Sequence, residues 1–479
     1  MKETRKFIKE STIYGIGEIL TKSLAFLLIP VFIRYLSKSE FGVYNLVITI
    51  WPILIIIFGK GFSSYIIRGY YQFQKEEERK SFAGNILLFS LVASVLLALL
   101  VHLFGDLIFN PLFKEVRYKP FLQFAVFIAV LKLFINNVMA LYKAKRQPTK
   151  VVAIALLNFL STVGLILFLV IILKKGLMGA LLGQVLGLAL LVLLLLVYVQ
   201  KDIRLSWNFK QISAAILFVL PLIPHGLSAW VINLSDRVLI ERFATLEDVA
   251  IYSLGYQLAM ALDILINSMN QAWMPFFYSL ADKPEGRKEI KSSITYYFVA
   301  VVAIGLLLAL FSKELIFLLG KNEYLEADRI FPLIILAFVI HSVYYIASSS
   351  LFYRSKTSVI PLITISGGTV NIGLNILLIP QYGYIAAAYS TIASFLIVAV
   401  IAYLLSKKYY PQPFQFGKMS AVFLIALGIF IGGRFFFPDL TIIHLAFKTV
   451  LAGLFPICLI ILGIIKPREI KALLPKLKR

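Results

Sequence analysis

The chain repeats itself within a sequence that is hydrophobic almost throughout. Three stretches of the first half return in the second half, 207–210 residues later. The pairs are FGVYNLVITIWP (41–52) with VAIYSLGYQL (249–258), LYKAKRQPTKVV (141–152) with LFYRSKTSVIPL (351–362), and GLMGALLGQ (176–184) with GYIAAAYST (383–391). Such repeats are typical of transporters, in which two homologous lobes enclose a binding site near the middle of the membrane. The repeat therefore predicts a membrane carrier.

The apolar content of the chain sets the number of membrane spans. Hydrophobic residues make up 60% of the 479 positions and charged residues only 15%. A membrane-spanning helix needs roughly 20 apolar residues, so the chain has enough for about fourteen spans and little else. We place them at 12–36, 41–60, 82–105, 119–141, 151–173, 177–199, 211–235, 249–273, 293–317, 330–352, 358–379, 383–405, 419–437 and 443–465. The predicted fold class is an all-α integral membrane protein with 14 transmembrane helices.

The spans group as six, six and two. The loop QKDIRLSWNFKQ (200–211) closes the first copy, and KKYYPQPFQFGK (407–418) breaks the pattern before a final pair of helices. We predict an N-terminal six-helix lobe (1–205), a C-terminal six-helix lobe (206–410), and an extra helix pair with a basic tail (411–479). An even number of spans separates the copies, so the two lobes should be pseudo-symmetric about an axis along the membrane normal.

The basic residues predict the orientation. With fourteen spans both termini lie on one side, whose loops carry 31 Lys and Arg residues against 14 on the other side. Positive charge accumulates in the cytoplasm, so both termini should be cytoplasmic in a bacterial or archaeal cytoplasmic (inner) membrane. The net charge of +23 then faces anionic membrane lipid, and nucleic-acid binding is not expected. The single cysteine, Cys458, excludes an internal disulfide and a cysteine-based metal cluster.

Span eight carries the most distinctive polar face. Tyr256, Asp263, Asn267 and Asn270 fall within about 60° of one another on a helix. A carboxylate in the middle of a span is costly without a partner or water. Asp263 with Asn267 and Asn270 therefore predicts a site for a coupling ion, H+ or Na+, and no other cofactor is expected. The alternative is a structural carboxylate that pairs with another helix, for example through Lys132.

Span four and span ten carry polar residues at equivalent places in the two copies. Lys132 with Asn136 corresponds to His341 with Tyr345, at a separation of 209 residues between Lys132 and His341. A cationic or polar patch in both lobes suits an anionic substrate such as a pyrophosphate-linked lipid. A lone histidine such as His341 is also often structural.

Three charged residues of the first span remain ambiguous. Glu18 is a second candidate for ion coupling and Lys22 for the substrate path, but their i,i+4 spacing also suits an ion pair on one helix. Arg34 at the end of the span is a candidate for phosphate contact, although a basic residue there can equally extend to the membrane surface.

Nothing in the sequence predicts an enzyme. No P-loop, metal motif or nucleophile triad is present, so energy must come from an ion gradient or from the distribution of the substrate. A membrane polysaccharide polymerase or ligase remains an alternative, but such proteins usually carry a long outer loop with acid–base residues.

Several stretches resemble one family. NIGLNILLIPQYGYIAAAYSTIASF (371–395), the first span with its turn (11–47) and GKGFSSYIIRGYY (59–71) are similar to polysaccharide flippases. These are the O-antigen and exopolysaccharide repeat-unit flippases of the multidrug/oligosaccharidyl-lipid/polysaccharide exporter superfamily.

The resemblance implies two six-helix lobes in a V shape. It also implies alternating-access transport of an undecaprenyl-pyrophosphate-linked oligosaccharide to the outer leaflet, for surface polysaccharide synthesis. Expected partners are the lipid-linked oligosaccharide, a polysaccharide polymerase and glycosyltransferases, and a monomer is expected. A lipid II flippase and a cation-coupled multidrug exporter are the alternatives within the superfamily.

Overall fold

The computed structural model of the chain describes residues 28–465 and Phe26. Its helices are α1 (Leu28–Tyr35), α2 (Lys38–Phe58), α3 (Gly61–Tyr70), α4 (Glu76–Phe109), α5 (Gln123–Ala144), α6 (Pro148–Leu167), α7 (Gly176–Val199), α8 (Phe209–Val219), α9 (Leu222–Phe243), α10 (Leu246–Leu280), α11 (Gly286–Leu310), α12 (Ser312–Gly320), α13 (Phe331–Tyr353), α14 (Ile360–Tyr382), α15 (Ile385–Tyr409), α16 (Phe416–Phe436) and α17 (Ile442–Ile461). Short 3-10 or π segments lie at Tyr118–Leu122, Phe168–Ile172, Gln200–Asp202, Lys321–Arg329 and Thr357–Val359. No β-strand occurs between residues 28 and 465.

The helices confirm the predicted fold class. Thirteen helical stretches of the described chain are long and apolar enough to cross a membrane, and they match predicted spans two to fourteen. Most of the first predicted span (12–36) lies outside the described residues. The chain is therefore a multi-pass integral membrane protein with a helix count close to the fourteen expected.

Two of the differences from the predicted boundaries have local reasons. Span seven runs over Phe209–Phe243 and is interrupted near Pro221, since proline cannot donate the backbone hydrogen bond that continues a helix. The predicted span nine (293–317) is wrong at its end. There α11 stops at Leu310, and the separate short helix α12 fills most of what remains.

The described helices divide into two compact units. The first comprises the described residues up to Ala250 and the second those from Ile251 onwards. Span seven belongs to the first unit by packing: Trp230 Nε1 on α9 donates a 2.8 Å hydrogen bond to the Thr49 carbonyl on α2. The predicted lobe boundaries at 205/206 and 410/411 were drawn from the internal sequence repeat. They stay a prediction.

The start of α2 is fixed by capping and by a close backbone approach. Ser37 and Glu40 form a reciprocal capping box that satisfies backbone N–H groups at the helix N-terminus. A Cβ atom at Gly42 would lie 2.1 Å from the Leu246 carbonyl oxygen, so the two backbones can meet only at a glycine. These contacts hold the start of α2 against the beginning of α10 in the first unit.

Two ion pairs fasten the last helix pair to the rest of the second unit. Lys448 Nζ on α17 donates a 2.6 Å hydrogen bond to Glu314 Oε1 on α12, and the Lys448 side chain is only 1% exposed. Arg434 on α16 lies 2.6 Å from Asp328 Oδ2. The sequence did not single out Lys448, although it lies inside the last span.

Replacing Lys448 with methionine should lower the free energy of unfolding by about 3 kcal/mol, because a buried carboxylate loses its cation. Thermal unfolding of the purified protein in detergent measures the loss. Lys80→Met is the matched control, since Lys80 pairs with Glu76 at the surface, 3.6 Å apart, and should cost less than about 1 kcal/mol. Adding Glu314→Gln should restore most of the stability lost in Lys448→Met. Equal stability of Lys448→Met and the unsubstituted protein would contradict a structural role for the pair.

Candidate substrate and ion sites

Lys132 lies in the middle of a span of the first unit. It occupies the centre of α5, half-buried, and its Nζ atom lies 4.3 Å from the centre of the Trp51 ring on α2. A cation over an indole face is attracted by the negative face of the ring. In the described part of the first unit, no carboxylate lies within ion-pair distance of Lys132. The Trp51 ring therefore stabilises the charge, and no carboxylate in the described part of that unit neutralises it.

A second donor lies beside this cation. The Trp51 indole Nε1 atom is buried and has no hydrogen-bond acceptor among the described residues. A buried hydrogen-bond donor that is left unsatisfied is energetically unfavourable and requires an explanation. Within the part of the chain that the structure describes, Lys132 and Trp51 thus offer two donors without protein acceptors at one place in the membrane, which suits an anion.

The neighbouring asparagines have opposite roles. Asn136, the predicted partner of Lys132, is exposed, whereas Asn137 is fully buried. Asn137 accepts a 2.7 Å hydrogen bond from Ser63 Oγ on α3 and donates a 3.0 Å bond to Ser90 Oγ on α4. Asn137 thus joins three helices, and the structure does not bring Asn136 and Lys132 together through any described contact. Sequence spacing alone could not tell which of two adjacent amides is buried.

The remaining candidates of the N-terminal region carry less information. Arg34 lies in the last turn of α1 and is exposed, which fits an interfacial position as well as a phosphate contact. Glu18 and Lys22 lie outside the described residues, so their roles stay predictions.

The polar face of α10 in the second unit forms a connected site. Asn267 Nδ2 donates to the Asp263 carbonyl at 2.8 Å and to Asp263 Oδ2 at 2.9 Å. The Asn267 amide also lies near the Tyr345 hydroxyl on α13. The Asp263 carboxylate is close enough to Tyr345 and to Tyr297 on α11 to act on both electrostatically. The sequence predicted two separate sites, one at Asp263 with Asn267 and one at His341 with Tyr345. The structure places these residues together in one site.

His341 is held in a stack of aromatic rings. Its ring centre lies 4.2 Å from that of Phe395 on α15, nearly parallel to it, and 4.8 Å from that of Tyr345. Tyr344 is parallel to the imidazole at 5.3 Å. The His341 Nδ1 atom is buried, with no partner among the residues that the structure describes. The imidazole is thus fixed in orientation by its neighbours.

Two further polar atoms of this region are buried without partners. The Tyr297 hydroxyl and Asn270 Oδ1 have no hydrogen-bond partner between residues 28 and 465. Tyr297 itself is only 6% exposed. We call Asp263, Asn267, Asn270, Tyr297, His341 and Tyr345 the second-unit cluster.

The second-unit cluster includes one residue that sequence reasoning missed. Tyr297 comes from α11, and its proximity to Asp263 depends on how α11 packs against α10. Helical periodicity identifies residues that share a face, but it does not identify the facing helix. Within the described residues, no group of three or more His, Cys, Asp or Glu side chains is placed to hold a metal ion.

Comparison with known proteins identifies the family. Residues 7–281, more than half of the chain, match the family described as polysaccharide biosynthesis protein. The chain belongs to the polysaccharide biosynthesis protein family. The resemblance inferred from residues 11–47, 59–71 and 371–395 is therefore confirmed.

Relatives and solved structures extend the match. This member of the polysaccharide biosynthesis protein family is 22% identical to protein 1 of the Lsg locus of Haemophilus influenzae, over 84% of this chain and 98% of that protein. Its fold is similar to the lipid II flippase MurJ in an inward closed conformation, with a TM-score of 0.76, 15% identity and coverage of 93% of this chain and 98% of that one. An inward-facing multidrug resistance MATE transporter of the MOP superfamily gives a TM-score of 0.65 at 14% identity, over 84% of this chain and 95% of that one. The fold is thus similar to that of a lipid II flippase and to that of a multidrug transporter.

Proposed function

We propose that this protein is a secondary transporter that flips undecaprenyl-pyrophosphate-linked oligosaccharide repeat units across the cytoplasmic membrane by alternating access. The product would supply surface polysaccharide synthesis, such as O-antigen or exopolysaccharide. The family to which the chain belongs supports this substrate class, since its description is polysaccharide biosynthesis.

The observation that carries the proposal is the Lys132–Trp51 pair. Among the described residues, this mid-membrane ammonium group contacts an indole face and lies next to an unsatisfied indole N–H donor, an arrangement that suits an anion. Charge-assisted hydrogen bonds to phosphate are among the stronger contacts that a protein makes. A pyrophosphate group that enters this region would satisfy both donors, and the cost of burying Lys132 would be offset by the ligand.

The carboxylate of the second-unit cluster supports ion coupling. Asp263 is held in orientation by Asn267, and the Tyr345 hydroxyl lies near enough to its carboxylate to interact with it electrostatically. A carboxylate with nearby neutral oxygens is suited to take up a proton or a sodium ion. Uptake and release of that ion down its gradient would drive the lobes between their two states.

The remaining features of the proposal follow from the charge pattern and the substrate. Both termini would be cytoplasmic, because the basic loops lie on their side. The protein would act as a monomer beside the glycosyltransferases that build the repeat unit and the polymerase that consumes it.

A lipid II flippase is the second candidate. The fold similarity to MurJ favours it, because that protein is described as a lipid II flippase. Lipid II shares the polyprenyl pyrophosphate, so the Lys132–Trp51 pair would suit both substrates. An exporter of cationic drugs fits less well, since an unneutralised lysine would repel its substrate.

Complementation tests the proposal among these candidates. The gene would be expressed in one strain that lacks its oligosaccharide flippase and in another that lacks its lipid II flippase. Restored surface polysaccharide in the first strain is the expected result. Rescue only of peptidoglycan synthesis would favour the second candidate, and drug resistance without either rescue would contradict both.

A further inference from the structure

We infer that the second-unit cluster binds the sugar portion of the transported lipid, through Tyr297 and Asn270, and not its pyrophosphate. The inference rests on the proposed function and adds to it the part of the substrate that this unit recognises. The hydrogen bonds from Asn267 to Asp263 involve neither Tyr297 nor Asn270, so substitutions at these two residues leave those bonds in place.

The first step in the argument is the kind of atom left without a partner. The Tyr297 hydroxyl donates and accepts, Asn270 Oδ1 accepts, and His341 Nδ1 donates or accepts according to its tautomer. All three are neutral hydrogen-bonding groups. A buried polar atom without a partner is destabilising, so a ligand that supplies one is favoured. Sugar hydroxyls both donate and accept, and can match all three.

The second step is the sign of the charge nearby. Asp263 is the carboxylate of the second-unit cluster, and it acts on Tyr297 and Tyr345. A negative charge at this position disfavours a pyrophosphate and tolerates a hydroxyl-rich ring, which can donate hydrogen bonds to it. The first unit carries the opposite charge in the middle of its span α5, because Lys132 is a cation.

The third step is the rigid aromatic surroundings. The Trp273 ring lies 6.3 Å from the Tyr297 ring, centre to centre, and its Nε1 atom donates a 3.1 Å hydrogen bond to Ser349 Oγ. Trp273 is also stacked on Phe277 at 5.9 Å. Sites for small polar ligands combine aromatic surfaces with a few well-placed polar groups, and the C–H faces of a sugar ring pack against such surfaces. Trp273 is only 5% exposed and is held by its own contacts, so it forms a fixed aromatic border beside Tyr297.

Binding of two defined lipids to the purified full-length protein tests the inference. The probes are undecaprenyl pyrophosphate and a panel of undecaprenyl-pyrophosphate lipids that bear one N-acetylhexosamine, one neutral hexose or one uronic acid. The unsubstituted protein should bind at least one sugar-bearing lipid more tightly than the bare lipid. Tyr297→Phe, which removes only the hydroxyl, should reduce this preference about threefold to tenfold and leave the affinity for the bare lipid unchanged. Asn270→Ala should act in the same direction.

The control is Tyr389→Phe, a tyrosine that is 54% exposed in the same unit, and it should change neither affinity. Equal affinity of the unsubstituted protein for the bare lipid and all sugar-bearing lipids would overturn the inference and leave the proposed function in place. So would a loss in Tyr297→Phe that is the same for bare and sugar-bearing lipids. If the unsubstituted protein bound neither kind of lipid, the proposed function would fail together with the inference.

Discussion

Replacing Lys132 with alanine is expected to lower the initial rate of lipid-linked oligosaccharide transport about tenfold to a hundredfold, the value of one charge-assisted hydrogen bond to phosphate. We attribute the loss of rate to the loss of a cation in the middle of a span, beside the unsatisfied Trp51 N–H donor. Membrane insertion should be unaffected, since removal of a charge from a span makes the span more apolar. Transport is measured with proteoliposomes that contain the purified variant and a labelled polyprenyl-pyrophosphate oligosaccharide.

Two further variants sharpen this prediction. Lys283→Ala, which removes a lysine from an exposed loop, should transport at the unsubstituted rate. Lys132→Arg keeps the charge and should recover part of the activity, because arginine also binds phosphate. Unchanged transport by Lys132→Ala would remove this residue from the substrate path.

Replacing Asp263 with asparagine is expected to abolish the stimulation of transport by an ion gradient while the variant remains folded. The amide keeps the size of the side chain but cannot take up a proton or neutralise a sodium ion. The rate with an imposed gradient should fall to the rate without one. The measurement compares proteoliposomes with a proton gradient, a sodium gradient and no gradient, and so also identifies the coupling ion.

Glu285→Gln is the matched control for Asp263→Asn. Glu285 is an exposed carboxylate at the N-cap of α11 without a side-chain capping bond, so its neutralisation should leave the gradient response intact. A normal gradient response in Asp263→Asn would assign Asp263 to a structural role.

The membrane architecture could be predicted from the sequence because it depends on local apolar content. Thirteen of the fourteen predicted spans correspond to helices of the described chain, and the misplaced end of span nine lies where α11 gives way to the short helix α12. The shared face of Asp263 and Asn267 also follows from helical periodicity, and the structure adds the hydrogen bond between them. Such features depend on residues within about one turn of each other.

Contacts between helices could not be predicted in this way. Trp51 lies under Lys132, Tyr297 lies beside Asp263, and Glu314 lies beside Lys448 only because of helix packing. Each pair joins residues from different helices, and the sequence contains no spacing that relates them. The burial of Asn137 could not be predicted for the same reason, since the amide that joins three helices is known only once the helices are packed, and the role of Asn136 in the substrate path stays a prediction.

Flipping of a defined substrate by the purified protein decides whether this is a carrier of lipid-linked sugars. A fluorescent undecaprenyl-pyrophosphate oligosaccharide would be placed in both leaflets of sealed proteoliposomes, and access of an external sugar-oxidising reagent would be followed with time. We predict that the unsubstituted protein makes the inner-leaflet pool reactive within minutes, and that Lys132→Ala vesicles need about tenfold to a hundredfold longer. A pool that remains protected in vesicles containing the unsubstituted protein, with either gradient imposed, would contradict transport of this substrate.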